Sequence, residues 1–284
     1  MSEAVRWQDY KSHLNPIWCP GCGHFGVLNG IYQALAKLRK EPHRTCFISG
    51  IGCSSRIPGY TKTYGFNSIH GRALPIAEGV KSANPDLSVI VATGDGDCAA
   101  IGAGHFAHTA KRNSDLTVLM MDNGIYGLTK GQTSPTTPHE FKTKSSYFGN
   151  PENPANPLAL ALAYNATFVA RCFSGNIQHL TETIVAGIQH RGFSFLQILS
   201  PCVTYRGREQ FSILREITPP LPEGYDPKDK LAAYKYAEDP EKLWLGIFYE
   251  SQEPTLGDKF DAIAGKAAAK GKATLDGLLD RFQM

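Results

Sequence analysis

The stretch that most constrains the fold of this chain runs from Val89 to Ile125. Val89-Ile90-Val91-Ala92-Thr93 is a short apolar run rich in β-branched residues, suited to the inside of a parallel sheet, and it ends in the turn Gly94-Asp95-Gly96-Asp97. Between Gly96 and Asp122 lie 25 residues, room for one helix and one strand. Ala99 to Arg112 reads as that helix. Leu116 to Met121 reads as the neighbouring strand, leading into Asp122-Asn123-Gly124-Ile125. Asp95 and Asn123 then both sit just past strand ends, where open α/β sheets bind ligands. A carboxylate and an amide oxygen held together at a helix start suit a hard cation bound to a phosphate. A glycine turn with an Asp cap is also ordinary turn chemistry. The spacing and the flanking strands set this one apart.

The same alternation extends in both directions. A helix is expected from His24 to Arg39, a strand from Arg44 to Ser49 and a helix from Ala73 to Ala83. Beyond the central stretch, Gly127 to Pro138 is a loop near the bound group. A helix over Pro157 to Tyr164, a strand over Thr167 to Cys172, a helix over Asn176 to His190 and a strand over Ser194 to Leu199 follow. The fold class is therefore α/β, a mostly parallel sheet with helices on both faces. Residues 1–17 read as an extended arm. After Pro219 the alternation stops, so residues 1–215 are expected to form the binding domain and residues 216–284 a linker and C-terminal helical docking tail, with a final helix from Lys259 to Phe282.

Composition narrows the function classes. The net charge of +3 comes without a dense Lys/Arg stripe interleaved with aromatics, which argues against nucleic acid as a partner. No apolar run approaches the roughly 20 residues that span a bilayer, so no membrane association is expected. The first residues carry no apolar leader, and the expected location is cytoplasmic. Seven cysteines in such a chain point to metal or cluster ligation rather than disulfides. Cys19 and Cys22 form a Cys-x2-Cys in the glycine-rich bend Trp18-Cys19-Pro20-Gly21-Cys22-Gly23-His24, while Cys53 and Cys202 each follow a predicted strand and meet at one sheet edge. The residues alone fit half a zinc site, a redox dithiol or part of an iron–sulfur site. Cys46, Cys98 and Cys172 read as small apolar residues.

Gly-Asp-Gly, about 25 residues, then Asp-Asn-Gly-Ile resembles the diphosphate motif of thiamine-diphosphate enzymes. The resemblance implies that Asp95, the Asn123 side chain and the Ile125 carbonyl hold Mg²⁺ against the diphosphate; Asp122 stands where the family has the first of two Asn residues. Over Trp18 to Tyr205 the chain also resembles the β subunit of 2-oxoacid:ferredoxin oxidoreductases, through the bend above, Gly50-Ile51-Gly52-Cys53-Ser54-Ser55-Arg56, His70-Gly71-Arg72-Ala73, Gly94-Asp95-Gly96-Asp97 and Ser200-Pro201-Cys202. That resemblance implies a 4Fe-4S cluster on Cys19, Cys22, Cys53 and Cys202. It also implies cofactor contacts from Gly52, Ser54, Gly94, Asp95, Gly96, Asp97, Gly127 and Leu128, a substrate-carboxylate contact from Arg56 and a substrate contact from His70. His24 is expected to tune the cluster or to cap its helix.

The activity so implied is CoA-dependent oxidative decarboxylation of a 2-oxoacid, with 2-oxoglutarate favoured, to acyl-CoA and CO2. Electrons pass through the cluster to ferredoxin, and the reaction is reversible toward CO2 fixation. The family's pyrimidine-binding domain has no counterpart here, so an α subunit is the implied partner, in an α2β2 assembly. Two other classes stand beside it: a non-redox thiamine-dependent decarboxylase or ligase with structural zinc, and an iron–sulfur electron carrier without thiamine.

Overall fold

The computed structural model describes residues 5–271 and 274–282. The strands are β1 (Thr45–Ser49), β2 (Tyr64–Asn67), β3 (Ser88–Gly94), β4 (Leu116–Asp122), β5 (Phe168–Phe173), β6 (Phe193–Leu199) and β7 (Gly246–Glu250). The helices are α1 (His24–Lys37), α2 (Ile57–Tyr60), α3 (Ala73–Ala83), α4 (Ala103–Arg112), α5 (Pro157–Ala163), α6 (Ile177–Gln189), α7 (Gln210–Ile217), α8 (Lys230–Ala237), α9 (Leu256–Ala268) and α10 (Leu275–Phe282). The strands form one sheet in the order β2-β1-β3-β4-β6-β5-β7, parallel except for β7, which runs antiparallel to β5.

Successive residues of a strand point to opposite faces, and here both faces are covered, which explains the nearly continuous apolar runs. On β3, Val89 and Val91 pack under α3, α4, α5 and α8, while Ile90 and Ala92 pack under α1 and α6. On β4, Val118 and Met120 take the first side and Leu119 and Met121 the second. Helix starts follow local chemistry. Asn156 accepts from the Ala159 amide ahead of Pro157, and Asn176 accepts from the His179 amide.

The order places β1 and β3 side by side, with the chain leaving β1 toward β2 and leaving β3 toward β4. Such a divergence opens a crevice beyond the carboxyl ends of the two strands. The loops Gly50–Arg56 and Gly94–Asp97 border it. Immediately after the second loop, the Gly102 amide donates to the Asp97 carbonyl (3.1 Å), a π-helical turn ahead of α4.

Residues 216–284 differ from the expected linker and docking tail. They supply β7, whose Phe248 is wholly buried, and α8, whose Ala233 and Ala237 join the main core. Five residues holding a β-bulge partner gave no alternation to read. The expected single helix from Lys259 to Phe282 is two, α9 and α10; after α9 the chain reaches Gly271 in the left-handed region (φ +80°), which ends a helix. The short α2 and the exposed edge strand β2 are further elements to which the sequence assigned no helix or strand.

Candidate active site at the carboxyl edge of the sheet

Asp97 holds the crevice in shape. Its Oδ1 accepts from the Ile51 amide (3.0 Å), the Gly71 amide (2.7 Å) and His70 Nδ1 (2.6 Å), and its Oδ2 accepts from the Thr93 hydroxyl (2.6 Å). One buried carboxylate thus ties the loop after β1, the turn before α3 and the end of β3. Gly50 lies so close that a β-carbon there would overlap the carboxylate. Because Asp97 only accepts, His70 carries its proton on Nδ1, and the ring, set edge-on to Tyr126, borders the cleft. Asp97, expected among the cofactor contacts, therefore spends its oxygens on the protein's own loops.

Asp95 and Asp122 form the polar floor. Asp95 is buried; its Oδ2 accepts from the Ser134 hydroxyl and lies 2.9 Å from the Thr136 hydroxyl. Thr136 Oγ1 also lies 2.7 Å from Asp122 Oδ1, which accepts from the Gly124 amide at 3.1 Å. Asp122 Oδ2 accepts from Gln197 Nε2 at 2.7 Å. Burial, and then the charge of Asp122, push the Asp95 carboxyl up to about 7; the two hydroxyls oppose the shift. Asn123 Oδ1 accepts from the Ile125 amide (3.0 Å), which turns the chain and brings the amide group to the same cleft. Such an oxygen-rich, partly buried floor is chemically suited to a hard cation.

The cleft above this floor is lined by Gly52, Ser54, Gly94, Gly96, Gly127 and Leu128, together with Cys53, Asp95, Asp97, Asn123, Ile125, His24 and His70. Every expected cofactor contact thus borders one crevice. Arg56 does not line it; its charge acts on the Cys53 thiol instead.

The four cysteines come from three loops that are fastened together. Trp18 Nε1 donates to the Cys53 carbonyl (2.7 Å), the Gly23 amide donates to the Pro201 carbonyl (3.0 Å), and His24 Nδ1 meets Ser200 Oγ at 2.7 Å. All four are free thiols. Burial pushes the Cys22 thiol up to about 12 and raises those of Cys53 and Cys202, and the thiols raise one another. Among the described residues no three His, Cys, Asp or Glu side chains close on a point as one metal ion requires. Gly127 joins the two regions: a β-carbon there would lie 3.6 Å from Cys53 Sγ, 3.7 Å from Cys202 Sγ and 4.0 Å from Asn123 Nδ2. Two of the thiols and the Asn123 amide therefore converge on one glycine.

Residues 50–198 match the family described as thiamine pyrophosphate enzyme, C-terminal TPP binding domain, and residues 202–265 match the family for the C terminal of the pyruvate ferredoxin oxidoreductase beta subunit. The β subunit of 2-oxoacid:ferredoxin oxidoreductase 2 from Aeropyrum pernix is 43% identical over 261 residues, 88% of this chain and 84% of that one. The chain belongs to the β subunits of the 2-oxoacid:ferredoxin oxidoreductases. The 2-oxoglutarate synthase subunit KorB of Methanocaldococcus jannaschii is 44% identical over 206 residues, 72% of this chain and 76% of that one. A solved 2-oxoglutarate:ferredoxin oxidoreductase from Magnetococcus marinus, with 2-oxoglutarate, coenzyme A and succinyl-CoA bound, superposes with a TM-score of 0.94 at 41% identity, covering 99% of this chain and 97% of that chain.

This β subunit has working parts that the sequence reading did not single out. Ser134 and Thr136 reach the Asp95 carboxylate from a loop read only as lying near the cofactor. The run Thr133-Ser134-Pro135-Thr136-Thr137 was the available signal, since hydroxyls gathered in a loop beside a carboxylate are its natural donors. Tyr126, whose hydroxyl donates to the Gly96 carbonyl (3.2 Å), and Trp18 carried no such signal.

Proposed function

We propose that this β subunit, with an α subunit, carries out CoA-dependent oxidative decarboxylation of a 2-oxoacid, 2-oxoglutarate first, with ferredoxin as electron acceptor and the reverse reaction fixing CO2. The observation that carries the reading is Gly127, at once a wall of the cleft and the position where a β-carbon would touch two of the four thiols. Thiamine diphosphate supplies the carbon nucleophile and the electron sink that such chemistry needs. Asp95, the Asn123 side chain and the Ile125 carbonyl would hold Mg²⁺ against its diphosphate, with Gly52, Ser54, Gly94, Gly96, Gly127 and Leu128 packed around the phosphates. Asp97 acts behind them as a positioning residue. It keeps the His70 ring toward the cleft, where Nε2 can hydrogen-bond substrate or cofactor.

Cys19, Cys22, Cys53 and Cys202 would hold the 4Fe-4S cluster, and Arg56 beside Cys53 favours the thiolate that ligation requires. The missing half of the active site is assigned to the pyrimidine-binding domain of the α subunit, in an α2β2 assembly. Exposed Ile51 and Leu128, both lining the cleft, support an apolar partner there. Among the described residues no helix is long and apolar enough to cross a membrane.

The test is anaerobic assay of the αβ complex for viologen or ferredoxin reduction across a panel of 2-oxoacids with CoA. Rapid CoA-dependent reduction with 2-oxoglutarate, by a brown protein that contains iron, is expected. A colourless, zinc-containing complex that decarboxylates without reducing the acceptor would sink the proposal in favour of the non-redox reading.

A further inference from the structure

The carboxyl edge of the sheet carries a second cavity, across the Asp122-Asn123-Gly124 turn from the cleft, of about 580 Å³. It forms where the thiamine-binding family segment meets the C-terminal one: Arg171, Gln197 and Leu199 come from β5 and β6, and Leu214 and Leu243 from the later part of the chain. Arg171 is only 2% exposed. Its Nε donates to Gln197 Oε1 (2.9 Å), its face lies over the Phe248 ring (5.4 Å to the centroid), and its Nη1 is buried without a hydrogen-bond partner. Arg206 lines the same cavity, and its Nε is likewise buried and unpartnered.

Buried guanidinium donors are normally paired, so two incomplete ones at one cavity call for an acceptor. The charge of Asp122 acts on both guanidinium groups, but its carboxylate is turned to Gln197, Thr136 and Gly124 and accepts from neither arginine. Of the acids in the wall, Glu238 accepts from Asn156 (3.2 Å) and Asp239 from Trp244 Nε1 (2.8 Å), and Glu241 stands beside them. An oxyanion satisfies a guanidinium edge through paired N–H donors, and a volume in this range admits an organic body as well as a charged head.

We propose that this cavity is a second ligand site of the β subunit. It takes a small organic oxyanion with its carboxylate or phosphate head at Arg171 and Arg206 and its apolar part against Leu199, Leu214 and Leu243. The site is separate from the thiamine cleft and does not depend on which residues hold the diphosphate.

The test is calorimetric titration of the αβ complex, saturated with Mg²⁺ and thiamine diphosphate, with inorganic phosphate and separately with succinate. Saturable binding of at least one is expected, and the tighter of the two identifies the head group. Arg171→Met should weaken it tenfold or more. Leu214→Trp fills the cavity without touching either guanidinium; it should abolish the binding and leave viologen reduction unchanged, and it decides the matter should Arg171→Met fail to fold. No saturable binding of either anion to the parent complex, or parental affinity retained in Leu214→Trp, overturns the proposal, because the cavity then holds only water.

Discussion

Asp95 and Asp122 share one hydroxyl: Thr136 Oγ1 lies 2.9 Å from Oδ2 of the first and 2.7 Å from Oδ1 of the second. A threonine has a single hydroxyl proton, so both contacts are hydrogen bonds only when one carboxyl is itself protonated. Asp95, raised to about 7, is the one that takes the proton.

The sign of the resulting pH dependence is fixed. With a folded value near 7 and an unfolded value near the ordinary 3.8, Asp95 binds more protons in the folded state between those limits. The stability of the cofactor-free subunit therefore falls as pH rises through that window, by a few kcal/mol at most, and stays low above it. Asp95→Asn should flatten this dependence and raise resistance to urea at pH 8 while abolishing Mg²⁺-thiamine diphosphate binding. Urea unfolding at a series of pH values checks the first part and calorimetry the second. Cation binding should also tighten as pH rises toward 7, since a proton leaves as the cation enters.

Asp97 and Gly50 should respond very differently to conservative change. Asp97→Asn keeps an oxygen for the Ile51 and Gly71 amides and for His70, and the Thr93 hydroxyl can turn to accept from the new amide. A loss of about 1–2 kcal/mol is expected, with cofactor affinity largely kept. Gly50→Ala puts a methyl into the carboxylate, so the loop must shift and the four hydrogen bonds with it. Cofactor affinity should fall by more than tenfold, measured beside thermal unfolding of the same variants. Equal behaviour of the two would mean that Asp97 does not hold the loops.

Cys202→Ala separates the two halves of the site. The thiol touches Gly127 and does not itself line the cleft, so visible absorbance and iron content should drop sharply while Mg²⁺-thiamine diphosphate affinity stays within a factor of a few. Parallel loss of both would make the cysteine loops a scaffold for the cleft itself.

Phe248→Ala tests whether β7 belongs to the core. Its ring is wholly buried, among the residues under β5, and its removal should cost about 3–5 kcal/mol. An independent docking tail would lose far less in urea unfolding.

The alternation of apolar runs and glycine turns determined the α/β class, the parallel strands and the edge at which Asp95, Asn123, Cys53 and Cys202 gather, because strand burial and strand ends are local properties written in periodicity. The turn at Gly94 and Gly96 was legible for the same reason, whereas Gly52 and Gly127 were implied by the resemblance to the family. Tertiary structure alone decided what those residues do to each other. The four donors on Asp97 come from positions 51, 70, 71 and 93, and the hydroxyls on Asp95 from 134 and 136. No short-range pattern encodes such meetings; they follow from strand order, which sets loops distant in sequence beside one another. The same holds for β7 and for the Arg171 cavity, which exist only because the last seventy or so residues fold back onto the sheet that the earlier ones built.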